Sequence, residues 1–284
     1  MMDIFPKLVC PAPWGQVMVC TDASDEGQNA VAAALELAQA CDSQVFAVQV
    51  LQIVPEFQAV APDLRAVLGK GVQENMAVIK AAADKLGVSL QTVTPEDQLP
   101  HAAIVETAEK IGPDLIIMGR CGKSALARIL MGNVTARVIG NSPMNVLVVP
   151  RGGMAGFERI LVASDGSPYS DAAFKLALSM AKQAKSRLIG VAVAPKEGDI
   201  IETQAIIRRM ITAASGAGVP FKGVNPQGVA PDDGIVQQAI KNEVDLIIVG
   251  SYGRTGLKKL LMGIVAERVI GGSPCPILVV KKPD

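Results

Sequence analysis

Two stretches decide the reading of this chain. Gly119–Pro150 reads GRCGKSALARILMGNVTARVIGNSPMNVLVVP and Gly250–Lys281 reads GSYGRTGLKKLLMGIVAERVIGGSPCPILVVK. Laid together without a gap, they are identical at 16 of 32 positions. The residues before them also agree, PDLIIMG at 113–119 with VDLIIVG at 244–250. Further upstream, VMVCTDAS at 17–24 matches ILVASDGS at 160–167. The offset is 143 upstream and 131 downstream, so the second copy is 12 residues shorter in its middle. A period this long is the duplication of a whole domain, not a short solenoid repeat. Arg151–Gly156 (RGGMAG) has three glycines in six residues and is the natural joint. The chain therefore divides into an arm (1–15), a first repeat (16–150), a linker (151–157) and a second repeat (158–284).

Inside each repeat, short β-branched runs alternate with alanine-rich amphipathic ones. The expected strands are Val17–Cys20, Val45–Leu51, Val88–Val93, Asp114–Met118 and Val146–Val149. Their counterparts are Ile160–Ala163, Leu188–Val193, Val219–Val224, Asp245–Val249 and Ile277–Val280. Helices are expected between them, for example Asp25–Ala40 and Pro168–Ala184, where Pro168 suits a first helical position because its missing N–H costs nothing there. The fourth run of each repeat is continuously apolar, as a strand buried on both faces requires. Strand–helix alternation with right-handed crossovers predicts an α/β fold, two tandem copies of a five-stranded, mainly parallel sheet with helices on both faces.

Composition narrows the classes. The 284 residues are half apolar, yet only six Phe, two Tyr and one Trp are aromatic, which suits aliphatic helix-on-sheet packing. Lys plus Arg and Asp plus Glu both number 27, so the basic excess of a dedicated nucleic-acid binder is missing. No apolar run approaches the roughly 20 residues of a membrane span, and the first residues carry no secretory h-region, so a cytoplasmic protein is expected. Five cysteines (Cys10, Cys20, Cys41, Cys121, Cys275) without CxxC spacing argue against a disulfide framework or a zinc site. Cys10, Cys20, Cys41 and Cys275 read as small apolar residues. Cys121, within a glycine loop, reads as inert or as a thiol whose pKa a helix N-terminus would lower. With His101 the sole histidine, placed at the start of a surface helix, no metal site and no His-based catalytic group is expected.

Open α/β sheets bind ligands beyond the carboxyl ends of their strands, where the strand order reverses. Two loops in each repeat occupy such ends. One follows strand 1 and carries Asp22 or Asp165; the other follows strand 4 and carries Gly119-x-x-Gly122 or Gly250-x-x-Gly253, then Gly132 or Gly263 after nine residues. Glycines allow close backbone approach to an anion, and a helix starting at Gly132 or Gly263 offers N–H groups and a positive dipole end. Rival readings are weaker. Gly122-Lys123-Ser124 resembles the end of a P-loop, but the earlier glycine is replaced by Ile117. Asp22 and Asp165 read either as ligand contacts or as N-caps of the following helix.

The strand–Asp, Gly-x-x-Gly, nine residues, Gly, and Ser-Pro-x-x-(Val/Ile)-Leu-Val-Val pattern resembles the universal stress protein family, in both repeats. The resemblance implies an adenine nucleotide alpha hydrolase-like, Rossmann-like fold, and it implies ATP, with Mg²⁺ as a companion, at the glycine-bearing sites. Carried over by position, Asp22, Val50, Gly119, Gly122, Gly132, Asn133, Val134 and Thr135 would hold nucleotide in repeat 1. In repeat 2 these are Asp165, Val193, Gly250, Gly253, Gly263, Ile264 and Val265. Both repeats depart from the family where a Ser or Thr hydroxyl follows the last glycine: Asn133 and Ile264 stand there, and Ala266 replaces Thr135. Repeat 1 keeps the better phosphate side, repeat 2 the better loop, and Asp25 and Glu26 would repel phosphate in repeat 1 if they face it. Lys and Arg near the loops (Arg120, Lys123, Arg128, Arg254, Lys258, Lys259) read as phosphate partners or as a solvated face.

Three functions are compatible with these residues: an ATP-binding stress-response switch or sensor acting on an unidentified protein partner, an interaction module that binds no nucleotide, and a slow ATPase or adenylating enzyme. The resemblance also implies that Val146–Val149 and Ile277–Val280 pair within the chain as an internal dimer. It leaves further homodimerisation open.

Overall fold

In the computed structural model, which describes residues 8–53, 63–121, 131–153, 156–253 and 262–281, both repeats lay down the same five main strands. Repeat 1 runs β1 (Gln16–Cys20), α1 (Asp25–Cys41), β2 (Gln44–Val48), β3 (Leu51–Gln52), α2 (Leu64–Leu86), β4 (Leu90–Val93), β5 (Glu96–Asp97), α3 (Pro100–Ile111), β6 (Leu115–Gly119), α4 (Asn133–Asn141) and β7 (Asn145–Val149). Repeat 2 runs β8 (Arg159–Ala163), α5 (Pro168–Ala184), β9 (Arg187–Val191), a 3-10 turn (Glu197–Asp199), α6 (Ile200–Ala217), β10 (Phe221–Val224), α7 (Pro231–Lys241), β11 (Leu246–Gly250), α8 (Ile264–Gly272) and β12 (Ile277–Val280). No described helix is long and apolar enough to cross a membrane.

The main strands form one ten-stranded sheet, β10-β9-β8-β11-β12-β7-β6-β1-β2-β4. Every neighbouring pair is parallel except β12–β7, which is antiparallel with Leu278 opposite Leu147. The strand order reverses between β1 and β6 in repeat 1, and between β8 and β11 in repeat 2. These are the switch points where α/β sheets open a crevice. Strands β3 and β5 form a separate two-stranded ribbon, which the sequence pattern had not suggested. It takes up the end of the expected strand Val45–Leu51: the chain leaves the main sheet after Val48. Likewise β9 ends at Val191, which leaves Val193 beyond the strand end.

Alternation across the buried strands divides the core. Leu115, Ile117, Leu147, Ile160, Leu188 and Leu278 face one helical layer with Trp14 and Leu37. Met18, Ile116, Val146, Leu161, Ile247 and Ile277 face the other with Ile139 and Ile270. Each layer contains residues of both repeats, so the apolar core runs unbroken through the β7–β12 seam. Ser24 and Ser167 cap α1 and α5, their hydroxyls accepting the N–H groups of Gly27 and Ser170. Gly119 and Gly250 allow the sheet to meet these helices. A Cβ on Gly250 would lie 2.7 Å from the Tyr169 carbonyl carbon, and one on Gly119 would lie 2.9 Å from Glu26 backbone.

Two cysteines correct the sequence reading. Cys10 and Cys41, taken as unpaired apolar residues, form a disulfide with their Cα atoms 4.8 Å apart. The arm folds back over the end of α1, Trp14 packs against Phe157 at a ring-centroid distance of 6.4 Å, and Ser43 Oγ donates to the Trp14 carbonyl. No local motif encodes a pairing across 31 residues, because only the fold-back of the arm creates it.

Cations close the seam reciprocally. Arg120 of repeat 1 donates to the Gly271 and Ser273 carbonyls at the end of α8, at 3.2 and 3.3 Å. Lys281 of repeat 2 donates through Nζ to the Ile139 carbonyl in α4, and its backbone N–H donates to Asn145 Oδ1 at 3.0 Å. Cations favour helix C-terminal carbonyls. Burial lowers the Lys281 pKa to about 8. A base whose folded pKa is depressed releases its proton earlier in the folded state, so folding stability rises with pH from about 8 toward the unfolded value of 10.5. The buried thiols Cys20 and Cys275, pushed up to about 12 and about 11, act in the opposite direction above pH 9.

Two stability predictions follow from this packing. Lys281→Met will remove the lysine's rising contribution, so urea unfolding of wild type and variant between pH 7 and 10 will show wild type gaining on the variant as pH rises; parallel profiles would contradict this. Gly71 lies inside α2 with nothing near a prospective Cβ, whereas Gly250 faces immovable backbone. Gly71→Ala will stabilise by about 0.5–1 kcal/mol, and Gly250→Ala will destabilise by about 1–3 kcal/mol, both read from urea midpoints.

Candidate functional site

At the repeat 2 switch point the carboxyl ends of β8, β9 and β11 surround a cavity of about 490 Å³. That volume falls within the roughly 300–1,000 Å³ of small-molecule sites. Its wall brings together seven residues singled out from the sequence: Asp165, Val193, Gly250, Gly253, Gly263, Ile264 and Val265. Sequence reasoning missed others, among them Tyr252, Asp199, Glu202 and Thr203. Tyr252 sits within the quoted Gly-x-x-Gly loop and could have been found there. The remaining three belong to the turn and first helical turn after β9, whose reach to the cavity depends on the crossover of the chain.

Asp165 is held by the turn after β8. One carboxylate oxygen, Oδ1, accepts the Ser167 N–H at 3.0 Å. The other, Oδ2, faces the loop after β11, where a Cβ on Gly253 would lie 2.7 Å from it. A side chain at 253 would have to displace that carboxylate oxygen. The helix cap is Ser167, not Asp165, so the capping alternative for this residue does not apply in its simple form. Gly263 begins α8 with φ −67° and ψ 138°, and no side chain caps the helix. Among the described residues a Cβ there would come no closer than 3.6 Å to another atom. The first N–H groups of α8 have no intrahelical acceptor and present a positive dipole end. Val193 packs on Gly234 at the start of α7, with its Cγ2 2.9 Å from where a Cβ would stand. Tyr169 and Tyr252 meet beside the site as tilted rings with centroids 5.3 Å apart and planes at 59°, and Lys281 Nζ lies 5.9 Å from the Tyr252 ring. Burial and the neighbouring Tyr169 raise the Tyr252 pKa.

Repeat 1 reproduces the backbone but not the chemistry. Asp22 follows β1, and its Oδ1 accepts from Ser24 N–H at 3.0 Å and Ser24 Oγ at 2.5 Å; Ser24 is the helix cap here too. Val50 lies beyond β2 and packs on the same face of the sheet as Ile116. Gly132 caps α4 with φ −63° and ψ 143°, close to Gly263. The side chains beyond it are engaged within the protein. Thr135 Oγ1 donates its single proton to the Gly119 carbonyl at 2.9 Å, and Asn133 Oδ1 accepts from Arg137 Nε at 2.9 Å. Val134 is half-buried. Gly122 lies outside the described residues, as do Lys123, Arg128, Arg254, Lys258 and Lys259. Arg120, a candidate phosphate partner, instead spans the seam.

The largest difference is at the loop. Glu26 Oε2 accepts the Cys121 N–H at 2.5 Å, which puts a carboxylate on an amide inside the glycine loop. At the matching positions repeat 2 has Tyr169 and Tyr252. Burial and the Glu26 carboxylate raise the Cys121 pKa, so the lowered pKa expected from a helix N-terminus is not found.

The universal stress protein family model matches residues 13–150 and again 156–281. A universal stress protein of Methanocaldococcus jannaschii is 36% identical over 149 residues, which span 47% of this chain and 87% of that protein. One from Mycolicibacterium smegmatis is 26% identical over 287 residues, covering 93% of this chain and 96% of its own length. Among solved structures, a universal stress protein from Archaeoglobus fulgidus superposes with a TM-score of 0.80 at 21% identity, over 95% of this chain and 97% of that one, which speaks for the fold. With the whole pattern present twice, in sequence and in the Rossmann-like sheet, the chain belongs to the universal stress protein family as a tandem of two such domains.

Proposed function

We propose that this chain binds an adenine nucleotide, ATP foremost, in the repeat 2 cavity and uses its occupancy as a switch or sensor read by a protein partner. The observation that carries this reading is the cavity of about 490 Å³ that joins an anion-seeking helix start to an apolar slot and a fixed carboxylate. The walls fit the parts of the ligand. Val191, Val193 and Ile235 supply apolar surface for a purine, and Asp165 supplies an acceptor for ribose hydroxyls or an exocyclic amine. The amides around Gly253 and Gly263 supply donors for phosphates. Mg²⁺ would arrive on the phosphates, as it does where one or two carboxylates suffice. The described residues contain no cluster of three potential metal ligands.

Binding is proposed to be confined to repeat 2. A phosphate approaching the repeat 1 loop would meet the Glu26 carboxylate already on the Cys121 amide. Two unit charges about 4 Å apart repel by about 4 kcal/mol at an effective dielectric of about 20. Repeat 1 then serves as a partner surface or scaffold, which is the nucleotide-free reading applied to half of the chain. We propose further that the β7–β12 seam takes the place of a dimer interface between separate domains.

Calorimetric titration and native mass spectrometry will show one adenine nucleotide per chain. Asp165→Ala will weaken binding at least tenfold, while Asp22→Ala will leave it within about threefold. Ile264 is 55% exposed, so a smaller residue fits there without loss of core. Ile264→Ser, restoring a hydroxyl beside the phosphates, will tighten binding about tenfold or more, since a hydrogen bond to a charged group is worth about 1.5–3 kcal/mol. No binding at millimolar ATP would overturn the reading, and two equivalents per chain would overturn its confinement to repeat 2.

A further inference from the structure

A second cavity, of about 320 Å³, lies at the opposite pole of repeat 2, against the amino ends of β8, β9 and β10. Three cations line it. Arg159 and Arg187 begin β8 and β9 and are register partners, and Lys222 is the second residue of β10, opposite Ile189. Ile189, opposite Lys222 and on the same face of the sheet, provides apolar wall together with Pro220.

The same three positions in repeat 1 show that the fold does not need these charges. Gln16 and Gln44 begin β1 and β2 and are register partners, and Gln91 is the second residue of β4, opposite Phe46. An uncharged amide thus stands at every position where repeat 2 has a cation, on the same backbone. The cations of repeat 2 are only partly neutralised. Arg159 pairs with Glu243 at 2.6 Å and approaches Asp245 at 3.8 Å, yet its Nε is buried without a hydrogen-bond partner. Lys222 donates to the neutral Asn242 Oδ1 at 2.8 Å, and Asn242 also lines the cavity. Among the described residues neither Arg187 nor Lys222 has a carboxylate partner. Three like charges around one cavity repel one another, and an anion relieves that repulsion. A guanidinium fork suits a planar oxyanion, while Pro220 and Ile189 suit an apolar body.

We infer that this cavity is a binding site for a small organic anion with an apolar body, such as an aromatic acid bearing a carboxylate or sulfonate. It lies on the opposite side of the sheet ends from the nucleotide cavity and does not rest on the nucleotide reading.

The test is a fluorescence titration of the full chain with anilinonaphthalene sulfonate, in which the part of the signal that benzoate displaces is read for this cavity. Wild type is expected to bind the probe, benzoate to displace it, and inorganic phosphate at the same concentration to leave it bound. Arg187→Gln with Lys222→Gln, which installs the residues repeat 1 carries, is expected to weaken binding at least tenfold with unchanged circular dichroism. Arg187→Lys, which keeps the charge but not the fork, is expected to retain more affinity than Arg187→Gln, and Arg187→Gln alone serves if the double variant misfolds. Glutamine variants binding within twofold of wild type would overturn the inference, as would displacement by inorganic phosphate as effective as by benzoate.

Discussion

The antiparallel register between β7 and β12 is the constraint on which the rest of the molecule depends. Leu147 and Leu278 meet at its centre, and both core layers run through it. Parallel five-stranded sheets leave an edge of unpaired amides and carbonyls, which must be covered or paired. Here each repeat covers the other's last strand. Because the seam is buried, the groups along it are held to strict accounting: Arg120 and Lys281 each satisfy helix-end carbonyls of the opposite repeat. Lys281 does so beside Tyr252, which links the seam to the wall of the repeat 2 cavity.

Duplication has left two copies of one backbone with different chemistry at both poles of the sheet. At the carboxyl pole, the Gly132 and Gly263 helix starts are alike within a few degrees of φ and ψ. Yet repeat 1 fills its loop amide with the Glu26 carboxylate, and repeat 2 places a tilted tyrosine pair there. At the amino pole, glutamines face solvent in one copy where the other gathers Arg159, Arg187 and Lys222 around a cavity. Strand pairing and helix packing depend on the apolar alternation, which both copies keep. The polar positions at the strand ends are free of that demand, so divergence concentrates there. Even the turn after the first strand reflects this latitude: Ala23 holds a left-handed φ of 63° where repeat 2 has Gly166 at 78°. An alanine bears that conformation only at some steric cost.

Most of the architecture was legible in the residues. The two matched stretches announced the duplication, and the alternation of β-branched and alanine-rich runs placed the main strands within a few residues. Pro168 and Pro231 mark helix starts where a proline costs no hydrogen bond. The switch-point loops, and within them Asp165, Gly253 and Gly263, were visible because an aspartate and glycines recur at the same spacing in both repeats. The β3–β5 ribbon was not, since two-residue strands carry no periodicity. Nor was the disulfide, because Cys10 and Cys41 meet only through the fold-back of the arm.

What the sequence by itself determined is the class of the fold, its duplication and the loops that border the crevice, because these follow from short-range periodicity and from residue types with strong backbone preferences. Tertiary structure alone decided that the repeat 2 loop borders an open cavity and that a carboxylate reaches the repeat 1 loop amide. Glu26 lies 95 residues from Cys121, and whether its carboxylate faces the loop or solvent depends on how α1 sits against β6. Likewise the charges at Arg159, Arg187 and Lys222 are scattered along the chain and become one site only when parallel pairing aligns the strand starts. Local sequence encodes conformation through nearby sterics, whereas electrostatic juxtaposition depends on distances that only the packed sheet sets.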